Sequence, residues 1–249
     1  MALGPDFRQD DGWFVIAMDV FGAAEMIDDD KKAAAAAAVA EVRDGMLVGL
    51  GTGSTAAFAI QALGDRVAQG LQIRAVVTSE ASGKLARELD IEILDFASIA
   101  HVDLTIDGAD EIDFRCFAVK GAGGAMLREK IVAASSARMV VIADSSKRVD
   151  RIGAAKLPVE VLPFASAYVM RVLADMGAAP TIRENYRTDQ GNLVIDCHFA
   201  TLEDPRATAA TLSAIPGILG HGLFLDEVDA AYIATDGVVT RLERTGASD

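Results

Sequence analysis

Between Asp103 and Lys130 the chain reads DLTIDGADEIDFRCFAVKGAGGAMLREK, and this stretch constrains the fold more than any other. A mostly apolar run, residues 102–106, gives way to the acids Asp107, Asp110, Glu111 and Asp113. A second apolar run, 114–119, ends in Lys120, and Gly121, Ala122, Gly123 and Gly124 follow. A helical pattern carrying Arg128, Glu129 and Lys130 comes next. Short apolar runs bounded by polar and glycine-rich breaks read as buried strands. The order is therefore strand, acidic loop, strand, glycine loop, helix start. It gathers acids, a lysine and unobstructed backbone N–H groups at strand ends, where open α/β sheets hold their ligands.

The chain before this stretch has the same grammar. Residues 46–50 (MLVGL) read as a buried strand, GTGST follows, and AAFAIQAL is helical. Thr52, Gly53, Ser54 and Thr55 thus form an anion loop: small residues admit the anion, hydroxyls donate to it, and the helix start adds partial positive charge. The loop has neither the Gly-Lys-Ser/Thr of a Walker motif nor the third glycine of a dinucleotide fingerprint. Residues 73–77 and 91–94 read as further strands, with Thr78, Ser79 and Glu80 capping a helix through Leu89. Upstream, Asp28, Asp29 and Asp30 precede Lys31, Lys32 and an alanine run, which places a helix from there to about Val42. Both lysines are expected in solvent, with one in reach of a phosphate. The fold class is α/β: a Rossmann-like, mainly parallel sheet with helices on both faces.

Residues 139–143 form another strand, ending in Asp144, Ser145, Ser146 and Lys147. From Pro158 the rhythm changes. Extended 159–161, helical 164–176, extended 180–183, a turn at Asp189 to Asn192, a strand at 193–197, helical 205–214 and extended 218–225 give β-α-β-β-α-β. That is the split ferredoxin-like pattern. Residues 230–234 and 238–242 then return to the first sheet. The expected organisation is an N-terminal extension (1–24), a catalytic Rossmann-like domain (25–155 and 226–249), and an inserted smaller α+β ferredoxin-like domain (156–225).

Composition narrows the function. At 249 residues and 51% hydrophobic the chain can bury a substantial core. A net charge of −14 disfavours nucleic acid or an anionic membrane as a bulk-surface partner, and leaves room for a local basic site holding a small phosphorylated ligand. No uncharged apolar stretch is long enough for a transmembrane helix. Cys116 and Cys197 both fall in strand-like runs and read as buried free thiols in a reducing cytoplasm. His101, His198 and His221 lack metal-ligand spacing, so neither a metal nor another cofactor is expected. No Ser/His/Asp set or base-paired cysteine is suggested. The leader carries Asp6, Asp10 and Asp11 against Arg8, unlike a signal peptide, and Met18 and Met26 are alternative starts.

The ordered set GTGST, DGADEID, KGAGGAMLREK, ADSSK and LPVEVLPFA resembles ribose-5-phosphate isomerase of type A. The likeness continues through GNLVIDCHF, IPGILGHGLF and DGV. It departs at Ala122, where the family commonly has glycine, and at Leu127, where threonine is common. Ala122 fits if its φ is negative and it contributes only its N–H. The resemblance implies that Glu129 is the catalytic base and that Lys120, Asp107 and Asp110 surround the sugar. It places Thr52, Gly53, Ser54, Thr55, Gly108, Ala109, Gly121, Ala122, Gly123 and Lys147 on the substrate. It implies metal-free interconversion of D-ribose 5-phosphate and D-ribulose 5-phosphate in the non-oxidative pentose phosphate pathway, by a cytoplasmic homo-oligomer, dimer or tetramer.

The residues suit that chemistry. Moving a proton between C1 and C2 through an enediolate needs a base, here Glu129, and an oxyanion site, here Lys120 with the N–H groups of Gly121, Ala122 and Gly123. Opening the furanose needs a further acid, for which Asp107 is the candidate, with Asp110 orienting a hydroxyl. Two other readings compete. An amino-sugar-phosphate isomerase/deaminase would share the phosphate loop but not the contiguous KGAGG…REK. A sugar-phosphate-sensing regulator would need a DNA-binding module, for which the leader is too short and acidic.

Overall fold

The structure, a computed structural model, describes the backbone of residues 12–244 and the side chains of residues 25–244. The expected extension therefore lies partly outside the described residues, and its residues 12–24 belong to the first helix. That helix, α1 (Gly12–Val39), corrects the expected start at Asp28. The three aspartates do not cap it. Asp28 and Asp29 instead pair with Lys31 and Lys32 at 2.9 and 3.0 Å. Asp30 is buried and accepts the N–H groups of Asp236 and Gly237, at 3.2 and 2.7 Å. Ala34, Ala35 and Ala38 are fully buried, their small side chains letting the helix lie close to the sheet. The helix ends at Val39, before the expected Val42, and Arg66 donates to the Val39 and Val42 carbonyls there.

The chain then builds β1 (Leu47–Leu50), α2 (Ser54–Ala68), β2 (Arg74–Val77), α3 (Glu80–Glu88), β3 (Glu92–Ile93) and β4 (Leu104–Gly108). Next come β5 (Glu111–Ile112), β6 (Ala118–Val119), α4 (Met126–Ala134) and β7 (Met139–Asp144). A second unit runs β8 (Leu157–Val161), α5 (Ser166–Asp175), β9 (Ala178–Ile182), β10 (Leu193–Phe199), α6 (Pro205–Ala214) and β11 (Ile218–His221). The chain closes with β12 (Leu223–Phe224), β13 (Ala230–Thr235) and β14 (Val238–Glu243).

The main sheet has seven strands in the order β14-β13-β7-β4-β1-β2-β3. All neighbours are parallel except β13 and β14. From β1 the chain moves outward to β2 and β3, then returns to β4 on the other side of β1. The C-terminal ends of β1 and β4 therefore flank a topological switch point. One face packs Val48, Leu50, Leu104, Ile106 and Ile142 under α1 and α2. The other meets α4: a Cβ at Gly49 would sit 2.8 Å from Val132 of that helix.

The second sheet is antiparallel in the order β11-β8-β10-β9, the ferredoxin-like arrangement. Its core joins Val159, Val161 and Ile195 to Val169 and Leu173 of α5 and Leu212 of α6. Pro180, which cannot donate to a ladder, sits on the edge strand β9.

Two expected strands are broken. The run 114–119 yields only β6, because Asp113 folds the residues before it into a turn. Its carboxylate accepts the N–H groups of Arg115 and Phe117 at 2.9 and 3.1 Å. Cys116 lies in that turn with φ 61°, not in a strand as expected; both cysteines are nevertheless buried and free. The run 218–225 splits at Gly222 into β11 and β12, which join different sheets. A Cβ at Gly222 would fall 2.2 Å from the Lys120 carbonyl, so only glycine lets the two strands cross there. Strands β12, β6 and β5 form a third, three-stranded sheet, which fixes Lys120 at its edge. No helix among the described residues is long and apolar enough to cross a membrane.

Candidate active site

The site grows from the ends of β1 and β4. Gly51 leaves β1 with its backbone against Asp107; a Cβ there would lie 2.0 Å from Asp107 Oδ1. The close approach lets Thr52 donate its N–H to that oxygen at 3.0 Å, and Gly108 donates at 2.7 Å. Thr52 Oγ1 meets Thr78 Oγ1 at 2.7 Å, and Ser82 donates to the Gly51 carbonyl at 2.6 Å. Thr78 thus braces the loop, while Ser79 caps α3 by accepting the Ser82 N–H. Gly53, with φ 106°, opens α2 without a side-chain cap. The first N–H groups of α2 have no helical partners and present the positive end of the helix dipole.

Lys120 stands at the end of β6 with 2% exposure. Its ammonium lies 2.8 Å from Asp107 Oδ2 and 3.2 Å from Glu129 Oε2, and donates to the Gly108 carbonyl at 2.5 Å. Glu129, in the first turn of α4, is 3% exposed, and Asp107 is fully buried. One cation thus faces two carboxylates. Burial opposes the charge on Lys120, yet Asp107 and Glu129 together hold its pKa above that of an ordinary lysine. Burial raises the pKa of Glu129; Lys120 opposes the shift and the charge of Asp107 reinforces it. Asp107 has the shorter contact to Lys120 and accepts two backbone N–H groups, whereas Glu129 lines the cavity.

These groups meet at a cavity of about 380 Å³. Thirteen of the expected site residues line it: Thr52, Gly53, Ser54, Thr55, Gly108, Ala109, Asp110, Lys120, Gly121, Ala122, Gly123, Glu129 and Lys147. Asp107 does not; it lies behind Lys120 with its oxygens committed to the loop and the ammonium. Asp110 faces the cavity and accepts the Ala122 N–H at 2.9 Å. Only Gly121 and Gly124 of the glycine loop have positive φ, 103° and 78°, so alanine at 122 is unstrained. Lys31 joins the wall from α1, although Asp28 also holds it. Asp144, Ser146 and Ile27 complete the lining. A larger cavity, about 820 Å³ between α3 and α4, contains none of this chemistry.

The acidic cluster separates. Glu111 turns away to accept the N–H groups of Gly153 and Ala155 at 2.6 and 2.7 Å, and Asp113 is spent on its turn. Among the described residues no three His, Cys, Asp or Glu side chains are grouped to hold a metal ion. His221 is buried, its pKa pushed down to about 4 by burial and by Lys130, and it contacts Ser213 at 3.1 Å. Two residues escaped the sequence reading altogether: Arg183 and Tyr186, both bonded to carbonyls of the glycine loop.

The sequence model of ribose 5-phosphate isomerase A (phosphoriboisomerase A) matches residues 74–237. The chain belongs to this family. A ribose-5-phosphate isomerase A from Sphingopyxis alaskensis is 52% identical over 206 residues, covering 81% of this chain and 90% of the relative. One from Roseiflexus castenholzii is 48% identical over 219 residues, covering 85% and 94%. Among solved structures, ribose 5 phosphate isomerase A from Neisseria gonorrhoeae superposes with a TM-score of 0.84 at 38% identity, covering 88% of this chain and 97% of the other. A D-ribose-5-phosphate isomerase in complex with phospho-erythronic acid gives 0.85 at 34%, covering 88% and 99%. The family match takes in Asp107, Lys120, Glu129 and Lys147 but begins after Thr52, Gly53, Ser54 and Thr55, whose place in the site rests on geometry.

Proposed function

We propose that this protein interconverts D-ribose 5-phosphate and D-ribulose 5-phosphate by proton transfer through an enediolate. The observation that carries the reading is the convergence of Glu129, Lys120 and the anion loop on one cavity in a member of this family. The phosphate lies on the N–H and hydroxyl groups of Ser54 and Thr55, near Lys147 and Lys31. That end is remote from the reacting carbons, so its binding energy serves to orient C1 and C2.

Glu129, as the carboxylate, takes the proton from C2 of the open-chain aldose. The electron pair forms the C1–C2 double bond, and negative charge collects on O1. Lys120 and the N–H groups at Gly121 and Gly123 stabilise that oxygen. The proton on O2 moves to O1, and Glu129 returns its proton to C1, giving the ketose. Asp107 serves as the fixed counter-charge of Lys120, since it has no face on the cavity. The ring-opening role passes to Asp110, which does face the cavity.

Residues 25–155 with 226–249 form the catalytic unit in this reading, and 156–225 support it. A cytoplasmic homo-oligomer, dimer or tetramer, belongs to the same proposal; light scattering on the purified protein tests its oligomeric part. The activity is tested by incubating pure protein with D-ribose 5-phosphate and following ribulose 5-phosphate. Turnover supports the reading, and absence of turnover by folded protein that binds the sugar phosphate refutes it.

A further inference from the structure

The glycine loop is held from outside its own segment. Arg183, just after β9, makes a two-point ion pair with Asp196 on β10: Nε to Oδ2 at 3.0 Å and Nη2 to Oδ1 at 2.5 Å. The pair pins the guanidinium plane. Its remaining nitrogen, Nη1, donates to the Ala122 carbonyl at 2.9 Å, and Nη2 also reaches the Gly121 carbonyl at 3.5 Å. Tyr186 Oη donates to the Gly123 carbonyl at 2.9 Å, and its ring centroid lies 5.3 Å from the Arg183 guanidinium carbon. A Cβ at Gly124 would fall 2.1 Å from that hydroxyl, which explains the last glycine of the motif.

Three successive carbonyls are thus bound by two side chains of the second unit. In a trans peptide the C=O and the following N–H point in opposite directions. With its carbonyl turned to Arg183, the Gly121 peptide sends the Ala122 N–H to Asp110. By the same rule, the Ala122 carbonyl on Arg183 turns the Gly123 N–H away from Arg183, toward the cavity that Gly123 lines. The loop's own bond, Gly124 N–H to the Gly121 carbonyl at 2.8 Å, does not fix that peptide.

We propose that Arg183, clamped by Asp196 and assisted by Tyr186, is a positioning residue that aims the Gly123 N–H at the enediolate oxygen. This rests on the isomerase reading above. Arg183 touches no substrate; it acts through the peptide it orients. Lysine cannot replace it, because a point charge cannot hold Asp196 and the carbonyl in one plane.

The test uses Arg183→Met, Arg183→Lys and Tyr186→Phe in the full chain, with thermal midpoints recorded for each. Arg183→Met should lower kcat about 10- to 100-fold, the cost of a small misplacement in the site. KM for ribose 5-phosphate should stay within about threefold, because the phosphate loop is untouched. Phospho-erythronic acid, whose carboxylate stands in for the enediolate charge, should bind more weakly by the same factor as kcat/KM, while inorganic phosphate binds as before. Arg183→Lys should remain defective, and Tyr186→Phe should lose several-fold in kcat. If Arg183→Met does not fold, the other two variants carry the test. Restoration of kcat by lysine, or a loss confined to KM, overturns the proposal. A wild-type protein without turnover refutes the isomerase reading instead; the binding comparison then still decides whether Arg183 orients an anion site.

Discussion

Replacing Glu129 by glutamine separates the base from everything else in the site. Glutamine keeps the size of the side chain and an oxygen that can accept from Lys120, now 3.2 Å from the carboxylate. It cannot take a proton from carbon. A positioned base is worth about 10²–10⁴ in rate, or about 2.7–5.4 kcal/mol at about 1.36 kcal/mol per decade. The loss should fall in kcat, with KM changed by less than about threefold, since no phosphate contact is altered. The assay is ribulose 5-phosphate formation across substrate concentration and pH. In the wild type the base must be ionised, so kcat/KM should fall on the acid side. Because burial raises the pKa of Glu129, that fall should lie above the ordinary glutamate value of about 4.3. Stability supplies an independent check. A carboxylate whose pKa is raised on folding binds more protons folded than unfolded, between the two pKa values. Stability is then lost as pH rises through that window, by up to about 1.4 kcal/mol per pH unit. The Glu129→Gln protein lacks this loss, so its thermal midpoint should gain on the wild type from about pH 5 to about pH 8. A variant with near-wild-type kcat would refute the assignment of the base.

Lys147→Ala and Ser54→Ala should mainly raise KM, since phosphate is bound equally in ground and transition states, whereas Lys120→Ala should lower kcat; steady-state kinetics showing the opposite split would reverse the roles of the two lysines. Lys120→Ala should also lower the thermal midpoint, because Asp107 and Glu129 are left buried without their cation. Gly51→Ala should abolish most activity, since a methyl 2.0 Å from Asp107 Oδ1 displaces either the loop or the carboxylate; an active, stable variant would show the loop to be compliant. Deleting residues 1–24 should preserve fold and activity, as the site residues and the buried Ala34, Ala35 and Ala38 of α1 lie beyond them; an insoluble or inactive product would give that segment a structural role.

Much of the site was legible because it is local. Asp107, Asp110, Lys120 and Glu129 lie in one continuous strand–loop–strand–loop–helix segment, and strand ends at a switch point must converge. The main sheet was legible for the same reason: its parallel strands are continuous apolar runs. What escaped depended on side chains acting across the chain. Hydropathy cannot show Asp113 capping the turn that breaks the run 114–119, or Gly222 passing under the Lys120 carbonyl. Asp28, Asp29 and Asp30 look like a helix start until their partners, Lys31, Lys32 and the backbone at Asp236 and Gly237, are seen. Asp107 was expected to open the ring because it clusters in sequence with Asp110; in the fold Lys120 and two N–H groups turn it inward, and of the two only Asp110 lines the cavity. Arg183 and Tyr186 carry no motif, and only the packing of the second unit on the glycine loop brings them to the site.

The most direct test of the mechanism is to run the reaction in D₂O containing EDTA and locate the hydrogen isotope in the product. A proton carried by Glu129 can exchange with solvent before its return, so EDTA should leave turnover unchanged relative to the same D₂O reaction without it, and deuterium should enter C1 of ribulose 5-phosphate. No deuterium at C1, with activity lost to EDTA and restored by a divalent metal, would contradict the account and replace the proton path through Glu129 with a hydride shift.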